Sequence, residues 1–369
     1  MEPRGGGQQP HRSAHPAAAL TRALEPHVTA ERVTGYRPRA WLRGGHLQSI
    51  LPSLPPRRHW TRWQSRALRA RAPAWLLDCG ADVRLQAWYS PNPTACGRTA
   101  VLLHGWEGNA DSCYVLSLAA LLYERGYEIV RLNLRDHGRT QPLNRGLFHS
   151  CRLDDVTGAL RAIAARCGAQ PLYLAGFSLG GNFLLRACAE PALPASVAGV
   201  VAISPVLDPE HTLRALEEGW PVYHAYFVQR WSRSLRYKQQ CWPGVYDFHE
   251  LLRSRSLRLM TDVLVRECTA FADSAAYLDG YSITGGRLLT LAVPARILAA
   301  DDDPIIPAAD LARLAATPLL RITRTAEGGH CGFLSRLLAP AYSDRYAAAQ
   351  FDAFHAALPA AVAAADGRR

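Results

Sequence analysis

Apolar and polar positions along this chain switch between two periods, and the switching marks out its elements. Residues 83–89 alternate apolar and polar side chains, as a half-buried strand does. Residues 99–103 form a short apolar run into His104-Gly105, the pattern of a buried parallel strand. Residues 111–125 carry apolar side chains at helical spacing, with Asp111 as the N-cap and Gly126 as the stop. The same reading predicts strands at 127–133, 171–177, 197–203, 294–299 and 319–323, and helices at 153–167, 179–190 and 342–357. Strands and helices in this order predict an α/β fold, a mostly parallel central sheet flanked by helices. Residues 205–290 interrupt the alternation with a helical, aromatic stretch holding ten basic and ten acidic side chains. A helical cap insertion over the carboxyl edge of the sheet is its expected place.

The ends read differently. Residues 1–35 are expected to be a flexible tail, 36–74 a basic arm containing Gly44-Gly45-His46-Leu47-Gln48, and 361–369 a second flexible tail. The core would then comprise 75–204 and 291–360, with 205–290 as the cap. At roughly 150 residues per domain, 369 residues allow two domains or one large α/β domain with an insertion. A hydrophobic share of 49% excludes disorder over the whole chain. No apolar run reaches the roughly 18 residues that a membrane-crossing helix needs. The first ten residues lack the apolar stretch of a secretory signal, so a cytoplasmic location is expected.

Charge is unevenly placed. Residues 1–74 hold 13 Arg against three Glu, a net of +10, and the other 295 residues sum to +1. An anionic partner would therefore meet the arm rather than the main domain. Residues 57–71 carry six Arg and no acid, with Trp60 and Trp63 between them. That pattern suits peripheral contact with an anionic membrane, yet an arm with its tryptophans packed on the core explains it better. Nucleic acid is not expected, because no binding motif accompanies the charge. The nine cysteines include no C-x-x-C pair, so they read as reduced packed thiols, and neither a metal nor an organic cofactor is implied.

The chemistry centres on Leu174-Ala175-Gly176-Phe177-Ser178-Leu179-Gly180-Gly181-Asn182, a G-x-S-x-G between a predicted strand and a predicted helix. A serine on so sharp a turn points its hydroxyl out of the sheet, while Gly176 and Gly180 let strand and helix approach. A serine is a poor nucleophile until a base takes its proton, so an acid and a histidine should follow on later loops. Asp301-Asp302-Asp303 follows the 294–299 strand, and Gly328-Gly329-His330-Cys331-Gly332-Phe333 follows the 319–323 strand. Asp303, directly before Pro304, is the chosen acid, with Asp302 in reserve, and His330 is the chosen base. The oxyanion hole is assigned to the backbone amides of Leu179, at the start of the helix, and Trp106, in His104-Gly105-Trp106-Glu107-Gly108-Asn109. His46, His137 and His149 read better as loop histidines that hold backbone or line the pocket.

These motifs, in this order, resemble an α/β-hydrolase. The segment Trp41-Leu-Arg-Gly-Gly-His-Leu-Gln-Ser-Ile-Leu-Pro52 resembles the signature that precedes the core in YheT-like esterases. The resemblance spans about residues 36–358 and implies hydrolysis of short- to medium-chain acyl esters. Some relatives act on phospholipids or transfer acyl groups to alcohols. Two loops depart from the family pattern: Leu134-Arg135-Asp136-His137-Gly138 stands where Arg-Gly is usual, and Phe148-His149-Ser150-Cys151 where Tyr-His-Ser-Gly is usual. The sequence thus points to a serine esterase acting on a small-molecule acyl ester. Acyl transfer through the same acyl-enzyme is one alternative, and a non-catalytic binding protein of this fold is another. A dehalogenase or epoxide hydrolase is disfavoured because the turn carries Ser rather than Asp.

Overall fold

The computed structural model describes residues 30–358. Within them nine strands form one sheet: β1 (Ala30–Arg32), β2 (Ala74–Asp78), β3 (Arg84–Ser90), β4 (Thr99–Leu103), β5 (Glu128–Leu132), β6 (Leu172–Phe177), β7 (Val197–Ile203), β8 (Ala295–Ala300) and β9 (Leu320–Thr325). Their order is β1-β9-β8-β7-β6-β4-β5-β3-β2. Only β3 runs antiparallel to its neighbours, β2 and β5. Every residue of β4, β6 and β7 is buried, since crossover helices cover both faces of the central strands. The chain leaves β4 for β5 on one side and returns to β6 on the other. The loops after β4 and β6 therefore meet at the sheet's topological switch point, where ligands bind in open α/β sheets.

Strand β2 has no counterpart in the sequence reading, and two further local differences have clear causes. Residues 30–32, expected within a flexible tail, pair in parallel with β9 at the sheet edge, and Arg32 forms an ion pair with Asp301. Three residues are too few to show a periodicity, so the strand had no signal. The expected tails at 1–29 and 361–369 lie outside the described residues. The helix expected from Asp111 starts as Cys113–Glu124 with Ser112 as its N-cap, because Asp111 is drawn into an ion pair with Arg131 at 2.5 Å.

The arm carries three short helices, Gly45–Ile50, Pro55–Gln64 and Arg66–Ala70. Pro55–Gln64 lies on the Cys113–Glu124 helix with Arg57 and Thr61 turned inward. Arg57 donates to the Leu337 carbonyl at 2.9 Å and to Ser117 Oγ at 2.9 Å, which in turn donates to Asp344 at 2.6 Å. One of the six arginines of 57–71 is thus a core residue. Trp60 is half-buried beneath the Arg57 guanidinium, whereas Trp63 is 61% exposed.

Between β7 and β8 five helices stand at the carboxyl edge: Pro209–Glu218, Pro221–Cys241, His249–Arg253, Leu257–Cys268 and Ser274–Asp279. Asp208 caps the first, accepting from the Glu210 and His211 amides ahead of Pro209. The long Pro221–Cys241 helix is pinned to the core by Lys238, which is 0% exposed. Its ammonium reaches Asp136 at 2.9 Å and the Asn144 and Gly146 carbonyls at 2.6 and 3.1 Å. Burial pulls the lysine pKa down and pushes the aspartate pKa up, so each charge depends on its partner. Lys238→Met, which keeps the volume and removes the charge, should destabilise the fold by about 3–5 kcal/mol. Adding Asp136→Asn should restore part of the lost melting temperature. Equal melting temperatures for Lys238→Met and the unsubstituted protein would show that the pair is dispensable.

Candidate active site

The backbone at Ser178 is bent into a conformation few side chains adopt, φ +52° and ψ −122°, between β6 and the Leu179–Ala187 helix. Three glycines make room for it. A Cβ on Gly176 would lie 2.5 Å from the Gly180 carbonyl oxygen, and one on Gly180 would strike the ends of β4 at Leu103 and His104. A Cβ on Gly105 would stand 3.0 Å from Ser178 Cβ. The turn is therefore wedged between strand, helix and the loop after β4. Its geometry places Ser178 at the positive end of the helix, facing out of the sheet.

The three adjacent aspartates after β8 take three different roles. Asp301 pairs with Arg32 and Arg324. Asp302 accepts the Gly329 amide at 2.8 Å. Asp303 accepts the Ile305 and Ile306 amides at 2.9 and 3.0 Å with one oxygen and meets His330 Nδ1 at 2.9 Å with the other. The Asp303 and His330 side chains are only 3% and 13% exposed. Burial disfavours a charged imidazole, but the Asp303 carboxylate outweighs it and holds the His330 pKa well above 6.5. The loop carrying His330 reaches Ser178 through a shared acceptor. The Ile203 carbonyl at the end of β7 takes the Ser178 amide at 2.9 Å and the Cys331 thiol at 3.6 Å.

In the loop after β4, nearly every amide has an acceptor. Gly105 donates to Tyr114 Oη at 3.2 Å, Glu107 to His137 Nε2 at 3.0 Å, and Gly108 to the Gly105 carbonyl at 3.0 Å. Asn109 donates to Ser112 Oγ and Ala110 to Asn133 Oδ1. Among the described residues no acceptor faces the Trp106 amide. His104 and His137 donate from Nδ1 to the Gly105 and Arg135 carbonyls and accept backbone amides at Nε2. Burial pushes their pKa values down to about 3 and about 4, so both stay neutral and act as fixed brackets for this loop. His149 is likewise held neutral by burial and lines the pocket, and His46 lies outside it against Trp220 and Tyr223.

Several residues here had no readable role in the sequence. Tyr114 and Arg230 are examples; the Arg230 guanidinium, from the Pro221–Cys241 helix, donates to the Glu107 carbonyl. Glu107 itself is buried, and its carboxyl pKa is pushed up to about 7. Asn182, quoted only as part of the motif, donates to the Val206 and Tyr281 carbonyls and ties the helix after Ser178 to the cap. Their signals are long-range contacts, and no local pattern announces those.

Ser178, Leu179 and Trp106 border a cavity of about 90 Å³ roofed by cap side chains such as Leu213, Phe227 and Trp231. The Trp106 ring stacks on Phe227 with centroids 5.1 Å apart and meets Trp231 edge-on at 5.2 Å. The walls are mainly apolar, with Ser178, His149 and Ser150 as polar groups from the core and Thr212 and Thr261 from the cap. Among the described residues no cluster of three or more His, Cys, Asp or Glu side chains is arranged to hold a metal ion.

The chain belongs to the α/β-hydrolase fold family, whose model, described as alpha/beta hydrolase fold, matches residues 100–337. The relatives it matches include proteins named as putative esterases. It is 28% identical over 309 residues to "Putative esterase YheT" of Escherichia coli K12, covering 79% of this chain and 85% of that one. It is 29% identical over 346 residues to the human protein ABHD15, covering 89% and 69%. The fold is shared with the Pyrococcus furiosus esterase Pf2001, at a TM-score of 0.51 and 13% identity, covering 80% of this chain and 92% of that one. It is also shared with a bacterial membrane phospholipase A, at a TM-score of 0.51 and 17% identity, covering 84% and 93%.

The Asp303–His330 contact yields a pH prediction. A raised imidazole pKa favours the protonated ring in the folded state. Its contribution to stability is full below 6.5 and fades as the pH rises through the raised value, where the neutral ring able to accept a proton takes over. Asp303→Asn should bring the midpoint down, read from the His330 ring protons by NMR. An unchanged midpoint would show that another group sets it.

Proposed function

We propose that this protein is a serine hydrolase of carboxylic esters with short- to medium-chain acyl groups. His330 Nε2 takes the Ser178 proton as Ser178 Oγ attacks the ester carbonyl, while Asp303 fixes the ring orientation and stabilises the imidazolium. The Trp106 and Leu179 amides hold the negative charge that develops on the carbonyl oxygen. As the intermediate collapses, the carbon–oxygen bond to the alcohol breaks and His330 passes its proton to the leaving oxygen. Water then gives a proton to His330 and attacks the acyl-enzyme, and the proton returns to Ser178 as the acid departs.

The observation that carries this reading is the convergence at the end of β7. There a strained serine and a paired histidine loop share the Ile203 carbonyl beside an apolar cavity. The unengaged Trp106 amide supports it, because a donor held ready without a partner suits charge that appears only during reaction. The mainly apolar wall of the cavity supports an acyl group as its occupant.

A fluorophosphonate probe tests the reading directly. The unsubstituted protein should label, Ser178→Ala should not, and His330→Ala should label at least about 10³-fold more slowly. Ester turnover should follow the same order and fall as the acyl chain outgrows the cavity. Absence of labelling in folded protein would refute an activated serine and favour the binding-protein alternative. Appearance of a new ester when an alcohol is added would favour acyl transfer.

A further inference from the structure

The glycines around His330 make room for a neighbour from far earlier in the chain. The Gly45–Ile50 helix of the arm presses against this loop from a position some 280 residues earlier in the chain. A Cβ on Gly329 would stand 2.8 Å from both Gln48 Cβ and Ser49 Oγ, and one on Gly332 would strike the Gln48 carbonyl. A Cβ on Gly45 would strike the Asp302 carbonyl, so the same helix also touches the acid loop.

Hydrogen bonds fix this contact in direction as well as distance. The His330 amide donates to Ser49 Oγ at 2.8 Å. Ser49 Oγ donates its own proton to the Gly45 carbonyl at 2.6 Å, one turn back in its helix. The hydroxyl is thereby oriented with an oxygen lone pair toward His330. Gln48, which is 0% exposed, bridges the other side. Its amide donates to the Leu42 and Leu334 carbonyls at 2.7 and 3.1 Å, and its oxygen accepts the Leu334 amide at 2.7 Å. The base loop is therefore held at two points, His330 and Leu334, by consecutive residues of one helical turn. The cap closes the outer side. Tyr223 Oη lies 3.0 Å from His46 Nδ1 and approaches Ser49.

We propose that Ser49 and Gln48 are positioning residues for the catalytic base, setting the place of the His330 ring through its backbone. Neither touches the cavity that takes the acyl group. Their effect should therefore appear in the proton-transfer step rather than in substrate binding. The proposal rests on the serine-hydrolase reading, and labelling of the unsubstituted protein establishes that reading independently.

The decisive variant is Ser49→Ala, which removes one hydroxyl from a half-buried site. Fluorophosphonate labelling and kcat should fall about tenfold or more, with KM within about twofold and a cooperative melt retained. Ser49→Thr, which keeps the acceptor, should recover most of the rate. Folded Ser49→Ala that labels as fast as the unsubstituted protein overturns the proposal, as does a KM increase with kcat unchanged. If Ser49→Ala does not fold, Tyr223→Phe takes its place, removing only the hydroxyl that faces His46 and Ser49. A severalfold loss of labelling rate supports the proposal, and an unchanged rate overturns it. If the unsubstituted protein itself fails to label, the serine-hydrolase reading has failed and the proposal falls with it.

Discussion

The conformation of Ser178 is the constraint around which the rest of the molecule is arranged. A non-glycine residue at φ +52° costs on the order of 1–3 kcal/mol and persists only where its surroundings leave no alternative. Here the surroundings are β6 behind, the Leu179–Ala187 helix ahead and the loop after β4 alongside, all within contact because Gly105, Gly176 and Gly180 lack a Cβ. The same packing brings Leu179, at the helix start, and Trp106, on the adjacent loop, to the wall of the cavity that Ser178 also borders. One strained residue thus sets the position of the serine and of its neighbours Leu179 and Trp106 relative to the sheet. The buried strands β4, β6 and β7 supply the rigidity that keeps the strain in place.

Everything else that shapes the site reaches it from a distance, and most of it passes through the cap. Phe227 and Trp231 hold the ring of Trp106, and Arg230 holds the carbonyl of the next residue. These three residues occupy little more than one turn of the Pro221–Cys241 helix, whose far end is fastened by Lys238 to Asp136. The cap helix therefore braces the loop after β4 as well as covering the cavity. A displacement of that helix would disturb Trp106 and the cavity roof together, because Phe227 and Trp231 belong to both contacts. The neutral histidines His104 and His137 complete the bracket from the core side, and burial keeps them neutral through the physiological range.

Apart from β2, which the sequence reading lacks, the strands and helices of the core were legible because each carries a period, and the order Ser178, Asp303, His330 was legible because each lies on a loop directly after a strand. The ambiguity among Asp301, Asp302 and Asp303 could not be settled locally. Three identical side chains differ only in what faces them: two arginines, an amide and an imidazole. The strand at 30–32 was invisible because three residues show no period, and its partner β9 lies nearly 300 residues away. The role of Gln48 was hidden for a related reason. Its sequence neighbourhood marks a family without saying what the side chain binds, and Leu334 is 286 residues distant. Local physics writes periods, caps and turns into a sequence, but it does not write the far partner of a buried polar group.

Charge shows the same limit and also modifies its own first interpretation. A net of +10 in residues 1–74 reads as an appeal to an anionic partner. Part of that partner is the chain itself. Arg32 pairs with Asp301, Arg43 lies 3.8 Å from Glu327, Arg69 lies 3.8 Å from Asp111, and Arg57 joins the buried Ser117–Asp344 group. Exposed pairs of this kind contribute about 0–1 kcal/mol each, so their value is not chiefly in stability. Their placement matters more. Asp301 and Glu327 stand on the loops that carry Asp303 and His330, so the arm's cations draw it toward the same two loops that its Gly45–Ile50 helix grips. The charge asymmetry of the sequence is thus also a docking pattern between the first and last parts of one chain, and it brings the Gly45–Ile50 helix to the His330 loop.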